Sequence, residues 1–337
     1  MPRPQFKLGK GSAGKRQLKL STAGAVLALP DWGAAGSAPP SGLRQSRGVD
    51  MESVIRDQIT SFVLESPDNR FPDSDRPYFE EPLIGFAAAD DPLFSEYKKI
   101  IGPFHLTPRE IMTDCYGERS GEAATVICWI LPIAQTTRES NSREDAMPSR
   151  PWALTRAHGE HFNTLLRMRL VEMLRFAGAQ AVAPLLSGMW RPVMDPRIGM
   201  ASTWSERHAA YAAGLGTFSL SDGFITGKGI AHRCGSVITN AAVTPTGRRC
   251  SGPWSNCLFY RDGSCGACIG RCPAGAITRQ GHDKEKCKDY AYGKVRYTVG
   301  ELYGVMETGC GLCQTKVPCE SGIPQGTGKF DNDPGPS

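Results

Sequence analysis

Apolar residues recur with a helical period over residues 51–65 (Val54, Ile55, Ile59, Phe62, Val63, Leu64), which predicts a helix there. Residues 66–104 are aromatic and proline-rich (Phe71-Pro72, Pro77-Tyr78-Phe79, Pro82-Leu83) and read as an extended segment wrapping a core. Thr107-Pro108-Arg109-Glu110 pairs a capping box with proline at the first helical position, so a helix begins there. Residues 123–133, AATVICWILPI, are apolar almost throughout and read as a strand buried on both faces, with Cys128 as a small core hydrophobe. The mostly polar residues 134–152 read as a loop. Phe162, Leu165, Leu166, Leu170, Met173 and Leu174 set a helix over 159–177, and residues 179–186 read as the next strand. A short helix over 205–213 should stop at Gly214, which suits a left-handed cap, before another strand over 233–243. Helices alternating with buried strands argue an α/β (α+β) layered fold.

Composition changes this picture in one place. The chain of 337 residues is 40% hydrophobic and 22% charged, as an ordinary globular protein is. Its net charge of +5 is local: residues 1–50 hold eight of the 39 Lys/Arg but two of the 34 Asp/Glu. The remainder is close to neutral and gives no case for a nucleic-acid surface. No apolar run reaches the length of a membrane span. Residues 1–50 are rich in Gly, Pro, Ser and Ala and read either as an unstructured leader or as an over-extended start ahead of Met51. Lys15-Arg16 before the apolar run 20–30 and the small residues 34–38 also fits an export signal of twin-arginine type, without its arginine pair. The expected location is the cytoplasm, with export as the alternative.

Residues 257–319 carry the chemistry. They hold eight of the twelve cysteines: Cys257, Cys265, Cys268, Cys272, Cys287, Cys310, Cys313 and Cys319. The centre, Cys265-Gly-Ala-Cys268-Ile-Gly-Arg-Cys272-Pro273, is C-x2-C-x3-C-P. Such spacing lets one loop present several thiolates to a compact inorganic core, and a cysteine before proline departs toward a second cluster in two-cluster ferredoxins. Two iron–sulfur cubes need eight thiolates, the number present. Structural zinc would show two matched C-x2-C pairs across a longer spacer, and a disulfide framework belongs to small secreted domains. Cys115 and Cys234 have no partner at ligand spacing and read as structural. Gly214-x-Gly216-x-x-Ser219 follows a helix rather than a strand, so it is not a dinucleotide fingerprint.

Glu206-Arg207…Ala213-Gly214-Leu215-Gly216, a strand, and then the twin-cluster cysteines together resemble the epoxyqueuosine reductase and reductive dehalogenase superfamily over roughly residues 51–324. The resemblance implies a nitroreductase-like α/β domain (51–245) holding a cobalamin. It also implies a ferredoxin-like domain (246–324) with two [4Fe-4S] clusters, followed by a flexible tail (325–337). Electrons would pass from an external low-potential donor, of ferredoxin or flavodoxin type, through both clusters to cobalt, which would reduce a small organic substrate. A tRNA substrate is known in the superfamily. One cluster would use Cys265, Cys268, Cys319 and a fourth cysteine; the other would use Cys272, Cys287, Cys310 and Cys313. The family opens its first motif three residues before Cys265, where this chain has Asp262; Cys257 is the nearest substitute and Cys250 the next. Cys319 lies six positions after Cys313, where four are usual.

The family's proton-donating aspartate aligns with His161 in Gly159-Glu160-His161-Phe162-Asn163. Histidine donates protons near neutral pH, and it also packs at helix starts for structural reasons. Tyr211 is the second donor candidate, since reductive dehalogenases use a tyrosine; its alanine neighbours equally suit a core tyrosine. Glu206, Arg207, Gly214 and Gly216 are the cofactor-contact candidates, Glu206-Arg207 being otherwise a solvated pair. Two other readings share the clusters. One is an electron-transfer or assembly protein without cobalamin. The other is an FMN-dependent reductase, which needs a basic phosphate site among Arg191, Arg197, Arg207 and Arg233.

Overall fold

The computed structural model describes residues 50–325, so the leader and tail expectations for 1–49 and 326–337 lie outside the described residues. The described residues belong to one compact unit. Helix α1 (Met51–Glu65) buries Ile55, Ile59 and Val63 along one face, and Asp50 caps it by accepting from the Glu52 amide at 3.2 Å. Strand β1 (Leu83–Ala88), α2 (Pro92–Ile100) and α3 (Pro108–Tyr116) follow. The Thr107–Glu110 capping box forms at α3 as its sequence predicts. Then come β2 (Thr125–Pro132), α4 (Gln135–Ser142), the long α5 (Arg150–Phe176) and the short β3 (Ala181–Val182). A hairpin of β4 (Pro192–Asp195) and β5 (Gly199–Ser202) leads to α6 (Glu206–Ala212). A second hairpin, β6 (Gly216–Phe218) with β7 (Phe224–Thr226), leads to β8 (His232–Thr239).

The main sheet has the order β1-β2-β8-β3, with every pairing antiparallel. Cys128 of β2 lies opposite Gly85 of β1 on one side and Ser236 of β8 on the other. All of β2 is buried, as its apolar run predicts. Successive side chains alternate between faces. Ile127, Trp129 and Leu131 enter a core with Ile55 and Ile59 of α1 and Phe162 and Leu166 of α5. Val126 and Cys128 enter a second core with Phe94 and Tyr97 of α2, Ile111 and Met112 of α3, and Trp204. Helices therefore cover both faces of the sheet. Each large apolar side chain fully buried this way contributes about 1.5–3 kcal/mol. Gly235 of β8 is required by this packing, because a Cβ there would lie 2.3 Å from the Trp129 ring.

Three expectations are corrected. Residues 66–104 are not simply extended: Asp91 caps α2 through the Leu93 amide at 3.0 Å, and Phe94, Tyr97 and Ile101 carry a helical period that the prolines obscured. The 134–152 loop contains α4 and the first residues of α5. The buried face of α4 is polar (Thr137, Arg138, Asn141), so it gave no hydrophobic signal. Residues 179–186 yield a two-residue strand and a 3-10 turn at Pro184–Leu186.

After β8 the elements are short: α7 (Leu258–Asp262), α8 (Ala267–Gly270), β9 (Ile277–Thr278), β10 (Gly281–His282), α9 (Lys284–Lys288) and α10 (Val295–Tyr303). Their core is small. Leu220, Ile225, Ile230, Cys257, Ile277 and Val317 are buried, with Cys268, Cys272, Cys313 and Cys319 packed against them. No described helix is long and apolar enough to cross a membrane.

Candidate functional site

All twelve cysteines are free, which removes the disulfide framework. The eight in the C-terminal part fall into two sets. Cys268 feels the charges of Cys257 and Cys265, and Cys319 those of Cys257, Cys268 and Cys265. Cys310 feels Cys287 and Cys272, and Cys313 feels Cys310, Cys287 and Cys272. Cys257, Cys265, Cys268 and Cys319 thus lie near one another, as do Cys272, Cys287, Cys310 and Cys313. Cys313 also faces Cys268, so the sets adjoin. An apolar pocket lined by Cys257, Cys265, Cys268, Cys313 and Cys319, together with Ile225, Ile230 and Val317, lies at the first set. Cys250 is placed elsewhere, against the Tyr211 hydroxyl.

Burial, then neighbouring sulfurs, pushes Cys319 up to about 12 and Cys268 up to about 11. Burial likewise pushes Cys310 up to about 11 and Cys313 well above the usual thiol value. Four sulfurs so placed repel one another as thiolates unless a cationic core lies among them, and thiolates are the ligands of soft metals and iron–sulfur cores. The donor set thus fits two polynuclear clusters. Among the described residues no three His, Cys, Asp or Glu side chains converge on a point suited to a single metal ion.

Beside the second set lies a polar recess that the sequence reading missed. Arg156, Glu160, Asn163 and Arg167 form a stripe at helical spacing along α5. Asn163 is fully buried and Arg167 is 1% exposed. Arg167 Nη1 binds Glu160 Oε1 at 3.0 Å, and its Nη2 lies 3.1 Å from the Cys234 carbonyl and 3.4 Å from Glu206 Oε1. Asn163 donates to the same carbonyl at 2.9 Å and accepts from Trp129 Nε1 at 2.9 Å. Arg233 Nε lies 3.9 Å from Glu160 Oε2. The Nε atoms of Arg167 and Arg233 and Oε1 of Glu206 have no hydrogen-bond partner among the described residues. Burial pushes His232 down to about 4 and Cys234 up to about 12, and it raises Glu206. His232, Arg233 and Cys234 nevertheless keep some accessible surface, so they line a recess rather than a sealed core. The missed signal was the polar stripe inside a helix otherwise read for its apolar face.

The recess touches the second cysteine set from two sides. Arg156 reaches Tyr292 at 3.3 Å and Glu307 at 3.4 Å, and it packs on Gly309, next to Cys310. Arg207 donates to the Asp222 carbonyl. Asp222, held at φ 57°, accepts from His282 Nδ1 at 3.1 Å, and His282 faces Cys287.

The remaining candidates are placed as follows. His161 is exposed on α5. Tyr211 is half-buried beside Phe218, their ring centroids 6.0 Å apart, and burial raises its pKa. Glu206 is held by Arg167 and by the Ser236 hydroxyl. Gly214, at φ 73°, closes against the Gly247 carbonyl, 2.1 Å from where a Cβ would stand; Gly216 closes in the same way against the Ile225 carbonyl at 2.4 Å. The space these glycines open is filled by the chain itself. Three of the arginines considered for an FMN phosphate are engaged separately: Arg197 with Asp195, Arg207 with the Asp222 carbonyl and Arg233 with Glu160.

No family model matches the chain, and no curated protein matches it in sequence. Among solved structures it is similar to a selenomethionine-labelled epoxyqueuosine reductase, at 16% identity over 84% of this chain and 69% of that one, with a TM-score of 0.46. The epoxyqueuosine reductase of Streptococcus thermophilus is similar at 15% identity, over the same shares, with a TM-score of 0.47. A catabolic reductive dehalogenase is similar at 15% identity over 72% of this chain but 30% of that one, with a TM-score of 0.45.

Proposed function

We propose that this chain is an iron–sulfur oxidoreductase that carries two [4Fe-4S] clusters and delivers electrons to the polar recess, where a small organic substrate is reduced. The observation that carries this reading is the gathering of eight free thiols into two adjoining sets of four, one of which borders the recess. When bound, such clusters supply one-electron transfer. Cys257, Cys265, Cys268 and Cys319 would hold the first, and Cys272, Cys287, Cys310 and Cys313 the second. The division into a domain of 51–245 and a cluster domain of 246–324 belongs to the same proposal.

The chain's own residues do the rest. Glu160, fixed by Arg167, sets the charge at the recess. Arg156 and Arg233 orient an acceptor that carries negative charge. Apolar packing around the first cysteine set excludes water from it. His161, exposed beside Glu160, is the proposed proton donor, with Tyr211 the second choice because burial keeps its hydroxyl protonated. Cobalamin as the acceptor rests on the sequence resemblance. The second reading is electron transfer without cobalamin.

Anaerobic reconstitution with iron, sulfide and cobalamin, then desalting and metal analysis, tests both. About eight irons per chain are expected. Retained cobalt near one per chain supports the cobalamin reductase, and iron without cobalt supports the second reading. Cys268→Ala should lose about half of the iron; a full complement in that variant refutes the ligand assignment. His161→Ala should slow turnover at unchanged iron content, whereas unchanged turnover returns His161 to a structural role.

A further inference from the structure

Arg271 stands between Cys268 and Cys272 at the end of α8, and its side chain is 10% exposed. Six acceptors from two distant segments surround its five N–H groups. Nε lies 3.1 Å from the Thr315 carbonyl and 3.3 Å from the Leu312 carbonyl. Nη1 donates to the Glu144 carbonyl at 2.8 Å and to Asp145 Oδ1 at 3.0 Å. Nη2 reaches the Asn141 carbonyl at 3.4 Å and the Thr315 hydroxyl at 3.5 Å. One guanidinium thus ends two turns. Asn141 and Glu144 lie at and just past the C-terminal end of α4, where a cation complements the helix dipole. Leu312 and Thr315 bound the 3-10 turn Leu312–Gln314, which carries Cys313. Asn141 and Thr315 are fully buried, and the Asn141 amide donates to the Thr315 hydroxyl at 3.2 Å. Two more donors of the cysteine region meet the same stretch of chain: Tyr290, three residues after Cys287, binds the Ala146 carbonyl at 2.8 Å, and Tyr303 of α10 binds the Pro148 carbonyl at 3.2 Å.

We propose that Arg271 is a positioning residue for the second cysteine set: it pins the turns that carry Cys272 and Cys313 to the end of α4, and its fixed charge raises the reduction potential of the cluster held there. The inference rests on the proposed cluster reading. Cys310 feels the Arg271 charge, whereas the first set packs among Ile225, Ile230, Phe259 and Val317. The anionic partner of Arg271, Asp145, is 85% exposed and screened by water, so it does little to cancel the cation. On reduction the cluster gains one electron from an external low-potential reductant, and no bond forms or breaks. The added negative charge is favoured by a cation that never loses its own, the more so where water is excluded. A guanidinium fork meets several carbonyls that an ammonium group cannot, so lysine at this position would keep the charge and lose the pin.

The test compares wild type, Arg271→Met and Arg271→Lys as anaerobically reconstituted full chains. Iron is counted, amide hydrogen exchange is read by mass spectrometry, and midpoints are read by dithionite titration followed by electron paramagnetic resonance. Arg271→Met should speed exchange over residues 141–146 and 310–316 by about tenfold and leave β2 and β8 protected. It should also disfavour reduction of one cluster by about tenfold, a midpoint lower by about 59 mV for one electron, with the other midpoint unchanged. Arg271→Lys should show the faster exchange with a midpoint close to wild type. Faster exchange in Arg271→Met with both midpoints unchanged and full iron makes Arg271 a merely structural residue and overturns the inference, as does unchanged exchange. Should Arg271→Met not fold, Arg271→Lys decides: faster exchange with a retained midpoint supports the assignment, and unchanged exchange overturns it. Failure of wild type to take up iron overturns the cluster reading itself, and this inference with it.

Discussion

Asn163 joins two things that would otherwise be unrelated. Its carbonyl oxygen accepts from the Trp129 indole in the core, and its amide donates to the Cys234 carbonyl in the recess. Asn163→Ala should leave the buried indole N–H unmatched, at a cost of about 1–3 kcal/mol, read as a lower urea midpoint. Gly235→Ala should cost at least as much, since the added methyl meets the Trp129 ring in a packed core. His105 and His208 give a pH signature. Burial pushes His105 down to about 4 and His208 down to about 3, while the unfolded chain binds these protons near the ordinary value of 6.5. Their contribution is therefore intact above about pH 6.5 and is lost as pH falls through 6.5 toward 4. Each histidine should cost about 1.4 kcal/mol per pH unit within that window. Urea melts from pH 7 to 4.5 should show the slope, and His208→Gln should reduce it; an identical slope would refute the assignment.

Among the elements, those with a single strong signal were legible from sequence. The continuous apolar run became β2, and the Thr107–Glu110 pair capped α3. Thr107→Ala should lower stability by about 1 kcal/mol in thermal melts, because its hydroxyl is the acceptor for the Glu110 amide. Elements whose buried faces are polar were not legible. In α4, Asn141 is buried because it accepts from the Ser149 amide at 2.9 Å and donates to Thr315 at 3.2 Å. The second of these partners lies far along the chain, beyond the reach of any local pattern. The recess was hidden for the same reason: Arg167 and Glu206 look like surface charges until β8 is laid between their helices. The cysteine spacing marked out the eight residues, and only the resemblance divided them into sets, whereas which of them border the recess depended on the placements of His282 and Gly309.

At the scale of the whole molecule, apolar burial is unevenly shared. Two large cores pack the main sheet, while the cysteine region has only a small one. On the proposed cluster reading its stability should depend on bound metal, which contributes folding free energy to regions with little core of their own. Chelating the iron should speed amide hydrogen exchange over residues 257–319 and leave β2 and β8 protected. Uniform loss of protection would show instead that sheet and cysteine region unfold together.

The strand order also fixes a sequence of events in time. The central pair of the sheet is complete only once β8 has been synthesised, and all eight grouped cysteines come after it. A ribosome making this chain therefore releases a sheet able to close before the first of those thiols emerges. On the proposed cluster reading, iron loading becomes a late step of biogenesis, performed on a largely finished scaffold. Cells starved of iron should accumulate chains whose sheet resists protease while the segment after β8 is trimmed away.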